Sequence, residues 1–318
     1  MKIAVLLSTY NGGRWLPQFL SSLRAQTRPV QLLWRDDGSQ DDTVAVVREF
    51  HGLDLVELDH GEPGCNTGAC ASFAVIMEHA LTTDSDLFLF ADQDDVWAPT
   101  KVADMVEYFV SSEPHIPRLV HHDLRVVNTQ RDVIAESLWR YMRLNPRQSS
   151  LAQFLTRNSV TGCAMAINRS LLVKVTPIGT GAIMHDWWIA AIASAVGSID
   201  VLPSPLVDYR QHDDNTIGAK GFWAGLNPFT NWFEGWRRGN EEYRSLFYQA
   251  RDLRKALIEA VADETSIEMI DRFLSLPSLP IVARVRRANS LELRDRGSLL
   301  WAVAMLRFAT TPVDITHK

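Results

Sequence analysis

Residues 3–10, IAVLLSTY, form an aliphatic and β-branched run that predicts a buried strand. The period then changes. In RWLPQFLSSLRAQ (14–26), Trp15, Phe19, Leu20 and Leu23 share one helical face, and Pro17 falls in the first turn, where proline is tolerated. The alternation repeats. VQLLWRDDGS (30–39) predicts a second strand ending in a turn, and Asp41 and Asp42 stand where caps belong for a helix through Phe50. LDLVEL (53–58) predicts a third strand. After the loop HGEPGCNTG comes a helix over about 69–81, then the strand LFLFA at 87–91. Such alternation predicts an α/β fold, a mainly parallel sheet flanked by helices on both faces. Ligands of these sheets bind beyond the carboxyl ends of the strands.

The second part of the chain is mixed. RLVHHDLRVVN (118–128) and SVTGCAMAIN (159–168) predict strands, and MHDWWIAAIASAVG (184–197) predicts a helix. PLVDYRQHDDN (205–215) predicts a strand running into a loop. After Gly218 the character changes to the aromatic-rich GFWAGLNPFTNWFEGWRRG (221–239). From about Asn240 the chain is helical, with basic clusters such as ARVRRAN, and it ends with SLLWAVAMLRFA. This places a boundary near 220, with an α/β domain over 1–220 and a helical C-terminal region over 221–318.

Composition narrows the classes. Of 318 residues, 46 % are hydrophobic and 22 % charged, the balance of a soluble protein with ample core. The net charge of −6 implies no broad basic surface and argues against nucleic acid as a partner. Three cysteines, Cys65, Cys70 and Cys163, fit no zinc template and no disulfide framework, which suits a reducing cytoplasm. MKIAVLLSTYNGG has too short an apolar core for a signal peptide and reads as the first strand. No apolar stretch reaches bilayer length.

Chemistry gathers at three expected strand ends: Thr9 to Gly13, Asp36 to Ser39, and Asp92 to Asp95. Asp92, Asp94 and Asp95 repel one another, and crowding of this kind raises at least one carboxyl pKa, so a positive partner is expected. Magnesium or manganese held by one or two carboxylates beside a phosphate is one such partner. An acidic loop capping the next helix is the alternative. In DDGSQDDT an aspartate could accept hydrogen bonds from a base or a ribose, although the stretch suits a plain turn equally well. TYNGG contains neither a dinucleotide fingerprint nor a P-loop. Asp186 in MHDWW stands at a helix start, an ordinary cap position, but beside Trp187 and Trp188 it would be desolvated into a better base. Arg210 could neutralise phosphate. The aromatics of 221–239, followed by Arg237 and Arg238, suit a membrane interface or packing onto the first domain.

Taken together and in order, STYNGGRWL, DDGSQDDT, NTGACASF and FADQDDVW resemble the inverting glycosyltransferases of family 2, which have the GT-A fold, and DQDDVW is most similar to the rhamnosyltransferase-like members. The resemblance covers about residues 1–215. It implies a nucleotide-sugar donor bound in the 1–98 half and an acceptor and base half at 99–220. Asp36 and Asp37 would face the base, with Thr9 and Tyr10 lining the same pocket. Asn11, Arg14, Asn66, Gly68, Gln93 and Arg210 would join them around the donor. Asp92 and Asp94 would be the DxD pair meeting ribose and a divalent cation, Mn²⁺ or Mg²⁺, with Asp95 supporting and His212 completing the metal shell. Asp186 would be the catalytic base, although His185 replaces the first carboxylate of the commoner Glu-Asp pair. Trp97, His185, Trp187 and Trp188 would support the acceptor side. The implied reaction moves a sugar, L-rhamnose from dTDP-rhamnose by the closest resemblance, to a hydroxyl of a polysaccharide or lipid-linked saccharide. The enzyme would be cytoplasmic, with peripheral membrane contact through 221–239. A nucleotidyltransferase, a glycosidase and a non-catalytic nucleotide-sugar binder are the competing classes. The first lacks its Gly-rich basic loop, and the second leaves DDGS and DQDD unexplained.

Overall fold

The computed structural model describes residues 1–110, 113–212, 232–291 and 293. The first strand, β1 (Ile3–Thr9), runs through the middle of a parallel set. It pairs with β2 (Gln31–Asp36) on one edge and β4 (Leu87–Ala91) on the other, and β3 (Asp54–Glu57) lies outside β2. Side chains alternate between the two faces of a strand, so an apolar run can feed two cores. Val5, Leu7, Leu89 and Trp34 enter one, with Phe19 and Leu20 of α1 (Leu16–Arg24). Ala4, Leu6, Phe88 and Phe90 enter the other, with Phe73 and Ile76 of α3 (Ala69–Ala80). The register pairs Thr9 with Asp36 and Leu7 with Ala91, so the polar residues that follow all three strands emerge at one end of the sheet.

The sheet continues from β4 through β8 (Met165–Asn168), β6 (Arg118–Val127) and β9 (Ser198–Arg210) to the short β5 (Val96–Trp97), while β7 (Val133–Ala135) pairs with β6. β8 is antiparallel to β4 and β6, whereas β6 and β9 are parallel. The α/β class and the flanking helices agree with expectation, and antiparallel strands appear in the second half of the sheet. The helices not yet placed are α2 (Thr43–Glu49), α4 (Lys101–Val110), α5 (Leu138–Met142), α6 (Leu151–Phe154), α7 (Arg169–Val175) and α8 (His185–Val196).

Two expectations about strands are corrected. β9 begins at Ser198, directly after α8, rather than near 205. Pro203, Ser204 and Pro205 hid its first half, because prolines donate nothing to a ladder. Here they are exposed, and the register against β6 shifts between His122 and Asp123, which leaves Pro203 and Ser204 out of the pairing and resumes it at Pro205 opposite Asp123. The strand expected over 159–168 is ordered as a strand only from Met165. A 3₁₀ turn at Gly162–Ala164 precedes it. The Gly162 N–H there is spent on the Asp186 carboxylate instead of on a neighbouring strand.

The helical C-terminal region comprises α9 (Trp232–Glu259), α10 (Glu264–Leu274) and α11 (Ile281–Ser290). Tyr243, Phe247 and Leu253 of α9 and Phe273 of α10 share one buried cluster with Trp188 and Ile189 of α8. The boundary near 220, residues 221–231 and the terminal SLLWAVAMLRFA lie outside the described residues. Phe247 is fully buried and stacks on Phe273 with ring centroids 4.7 Å apart. Phe247→Ala should cost about 3–5 kcal/mol in urea unfolding of the full chain. A loss under about 1 kcal/mol would mean that this core does not bind α9 to α8.

Candidate active site

The loop after β1 is laced to its neighbours by side chains. Thr9 Oγ1 donates to Asp36 Oδ1 (2.8 Å) and accepts from Trp34 Nε1 (2.9 Å). The N–H groups of Asn11, Gly12 and Gly13 donate to Ser39 Oγ, Thr43 Oγ1 and Asp41 Oδ2. Asn11 has φ 46°, a turn conformation that asparagine tolerates. Asp41 also accepts from the Thr43 N–H (3.0 Å), so it, rather than Asp42 at the cap position, satisfies the start of α2. Gln93 lies across the same loop: its side-chain amide exchanges two hydrogen bonds with the Tyr10 backbone, at 2.9 and 3.0 Å. A Cβ on Gly12 would stand 2.2 Å from Gln93 Oε1, so only glycine leaves room for that clamp.

Asp36 and Asp37 are both 2 % exposed and both occupied. Asp36 accepts from Thr9, from Ser39 Oγ and from the N–H groups of Gly38 and Ser39. Asp37 pairs with Arg35 Nη1 (2.7 Å) and accepts from Thr67 Oγ1 and the Thr67 and Gly68 N–H groups. Asn66 Oδ1 accepts from the same Gly68 N–H. Gly68, at φ +89°, leads into α3. Within the chain, these two aspartates pin the loops that border the site.

Beyond β4, Asp95 is fully buried. Its Oδ1 accepts from the Arg210 N–H (3.2 Å), and its Oδ2 has no partner among the described residues. Burial, reinforced by Asp94 and Asp92, pushes its carboxyl well above the usual range. Asp92, half-buried, is pushed up to about 7 by burial and by Asp94. His212 Nε2 lies 2.7 Å from Asp94 Oδ2, and its ring stacks on Trp15 at 5.2 Å. Arg210 is buried with its guanidinium on Asp94 O, Thr129 O and Gln18 Oε1, and it lies 4.7 Å over Trp15. Arg14 is exposed, 4.3 Å from the same ring. Cys163 joins Asp92 and Asp95, with potential ligand atoms within 4.8 Å of one another. Oxygen donors, one carboxylate oxygen without a partner, and an imidazole on Asp94 form a donor set that fits a hard divalent cation.

Asp186 opens α8 and is 9 % exposed. Its Oδ1 accepts from Asn158 Nδ2 (3.1 Å) and the Trp187 N–H (2.5 Å), and its Oδ2 from the Gly162 N–H (3.0 Å). Burial raises its pKa to about 7, these backbone bonds hold it down and the charge of Asp92 adds to the rise. The Asp186 charge also helps burial raise the Cys70 thiol to about 11. Sheet end and helix start therefore share one electrostatic field. The Trp188 indole N–H is spent on Val175 O and that of Trp187 on Phe154 O, while Trp97 is buried against Phe19.

The structure thus brings Asp92, Asp94, Asp95, Arg210 and His212 together, with Asp186 electrostatically linked to Asp92. Four contributors were not singled out from the sequence: Trp15, Lys101, Asn158 and Cys163. Lys101 follows FADQDDVW at the start of a helix, a place where a basic residue is unusual. Asn158 and Cys163 carry no local signal, because chain reversal alone brings them to the site.

A sheet with a parallel β3–β2–β1–β4 half, an acidic turn beyond β4 and, within its electrostatic field, a buried carboxylate in the first turn of α8 suits an enzyme of the GT-A glycosyltransferase kind. Residues 4–175, more than half of the chain, match the family model described as Glycosyl transferase family 2, and the chain belongs to that family. It is 25 % identical over 228 residues to the dTDP-rhamnosyl transferase RfbG of Shigella flexneri, covering 67 % of this chain and 74 % of that one. It is 27 % identical over 230 residues to an uncharacterised glycosyltransferase of Nostoc, alr2836, covering 68 % of this chain and 66 % of the relative's length. The O-antigen chain rhamnosyltransferase RfbN of Salmonella typhimurium is 32 % identical over 118 residues, 36 % of this chain and 35 % of that one. Among solved structures, S. aureus TarS in complex with UDP superposes with a TM-score of 0.54 at 18 % identity, over 97 % of this chain and 80 % of that one.

His185 does not offer an acid–base group. It is buried in a three-ring cluster with Phe73 (4.1 Å) and Phe90 (5.5 Å), which also touch each other (5.6 Å), neither ring nitrogen has a partner among the described residues, and burial pulls its pKa down to about 3. A depressed folded pKa gives stability that is present above the unfolded value of about 6.5 and lost as the pH falls. Between pH 7.5 and 5, His185 should therefore cost the fold about 2 kcal/mol in urea unfolding, and His185→Leu should remove that part of the loss. An unchanged pH dependence in the variant would show that His185 is not held neutral.

Proposed function

We propose that the protein transfers a sugar from a nucleotide-sugar donor to an acceptor hydroxyl with inversion at the anomeric carbon. The observation that carries this reading is Asp186, a buried carboxylate with a pKa of about 7, in the same field as the Asp92–Asp94 strand end. Asp186 takes the proton from the acceptor hydroxyl as the oxygen attacks the anomeric carbon from the face opposite the leaving diphosphate. The Gly162 and Trp187 N–H groups and the Asn158 amide hold its carboxylate in place. Asp94, Asp92 and His212 would hold Mn²⁺ or Mg²⁺, which when bound offsets charge developing on the diphosphate.

The donor half is taken as 1–98, because β1, β2 and β4 carry the donor motifs. The acceptor half is taken as 99–220, because it carries Asp186. Tyr10, Asn11, Arg14 and Asn66 border the donor side. L-Rhamnose from a dTDP-linked donor is the favoured sugar, on the strength of the named activities of RfbG and RfbN. A saccharide hydroxyl, on a polysaccharide or a lipid carrier, is the favoured acceptor. The enzyme would work in the cytoplasm, at the membrane's inner face. No helix among the described residues is long and apolar enough to span a membrane. A non-catalytic nucleotide-sugar binder remains the competing class, and it has no use for a desolvated Asp186.

Asp186→Asn should bind donor within about threefold of wild type and lose about 10²–10⁴ in transfer rate. Because the base works deprotonated, wild-type turnover should rise about tenfold per pH unit below pH 7 and level off above it. Normal turnover by Asp186→Asn, measured by release of nucleoside diphosphate with acceptor present, would overturn the assignment.

A further inference from the structure

Trp15 stands where the loop after β1 enters α1, and the laced loop fixes its backbone. Its N–H donates to Gly12 O (2.9 Å), and the Gly12 N–H is in turn held by Thr43 Oγ1 (2.8 Å). The half-buried indole meets the far end of β9. The Arg210 guanidinium lies 4.7 Å over it, and the His212 imidazole stacks on it at 5.2 Å with the ring planes 19° apart. Gln18, three residues on and so on the same face of α1, accepts from Arg210 Nη2 (2.6 Å). The indole N–H groups of Trp34, Trp187 and Trp188 are spent on oxygens. The contacts of Trp15 are made through the face of its ring.

We propose that Trp15 is a positioning residue whose indole fixes the plane of His212, so that the imidazole stands ready beside Asp94 as a metal ligand. This rests on the functional reading above, in which Asp94 and His212 hold a divalent cation. His212 Nε2 lies 2.7 Å from Asp94 Oδ2. A contact at one ring nitrogen fixes a point on the imidazole and leaves its plane free to turn about that point. A near-parallel aromatic face removes that freedom, because ring stacking depends on orientation. An imidazole already held in place loses less freedom on ligation, and partners that orient ligands in this way are worth about 10–100-fold in metal affinity. Arg210 shares the plate without needing it, since its guanidinium also bonds Asp94 O, Thr129 O and Gln18 Oε1. Loss of the indole therefore acts on His212 first.

The test is Mn²⁺ binding to the full chain, followed by the electron paramagnetic resonance signal of the free ion, with and without UDP or dTDP. Trp15→Ala should weaken Mn²⁺ binding about tenfold or more. Trp15→Phe keeps a ring face and should stay within about threefold of wild type. In a His212→Ala background, Trp15→Ala should cost no more than about twofold further, because the residue it acts through is gone. A merely structural tryptophan would cost the same factor in both backgrounds. That result overturns the proposal, as does unchanged Mn²⁺ binding by Trp15→Ala or a loss in Trp15→Phe as large as in Trp15→Ala; each leaves the metal site standing. If Trp15→Ala does not fold, Trp15→Leu, apolar and without a ring, replaces it with the same expectations. Mn²⁺ binding that His212→Ala leaves untouched overturns the role of His212 and the proposal with it. Failure of wild type to bind Mn²⁺ in any of these conditions overturns the metal reading itself.

Discussion

Everything at the site follows from driving a fully buried strand, LFLFA, into three carboxylates. Like charges so close, with one of them buried, cost several kcal/mol unless something answers them. The chain answers in two ways that do not depend on a ligand. Arg210 ties the turn together by its backbone N–H and guanidinium, bonding Asp95, Asp94 O, Thr129 O and Gln18 at once. Lys101 lies fully buried beside the turn, donating to Cys163 O and resting over the Trp97 ring, and burial pulls its pKa down to about 7 against the raising effect of Cys163, Asp95 and Asp92. Asp94 and its His212 partner, both half-buried, are the groups that the proposed function assigns to a ligand.

The opposite wall of the site solves a different problem with the same physics. α8 begins with His185 and Asp186, and burial acts on them in opposite senses. It strips the imidazole of charge and makes it a packing ring beside Phe73 and Phe90. It raises the neighbouring carboxylate to about 7, where a carboxylate is a useful base. The helical C-terminal region matters to this wall because Tyr243, Phe247 and Phe273 back α8 through the core that holds Trp188. The precision of Asp186 thus depends on residues far from it in sequence.

The parallel half of the sheet was legible because each of its strands is a continuous apolar run that ends in a polar cluster, and the ladder brings those ends to one edge. The motif residues Asp92, Asp94, Asp186 and His212 could be named for the same reason: each stands at the end of a clear element. What the sequence hid is of two kinds. Pro203 and Pro205 masked the first half of β9, since a bulge lets prolines live inside a strand. Long-range partnership masked the rest. Nothing local tells that Asp37 will meet Thr67 and Gly68, that Gln93 will clamp Tyr10, or that Lys101 will be buried rather than solvated.

The most direct test is a thermal-shift panel on the unmodified chain with dTDP, UDP and GDP, each in Mn²⁺ and in EDTA. A nucleotide at about 100 times its dissociation constant adds roughly 2.7 kcal/mol to the folded state. A rise in melting temperature with one of these nucleotides, present in Mn²⁺ and absent in EDTA, is the result predicted by a strand end built to hold a metal and a diphosphate together. No shift with any of the three, or an equal shift in EDTA, would contradict it.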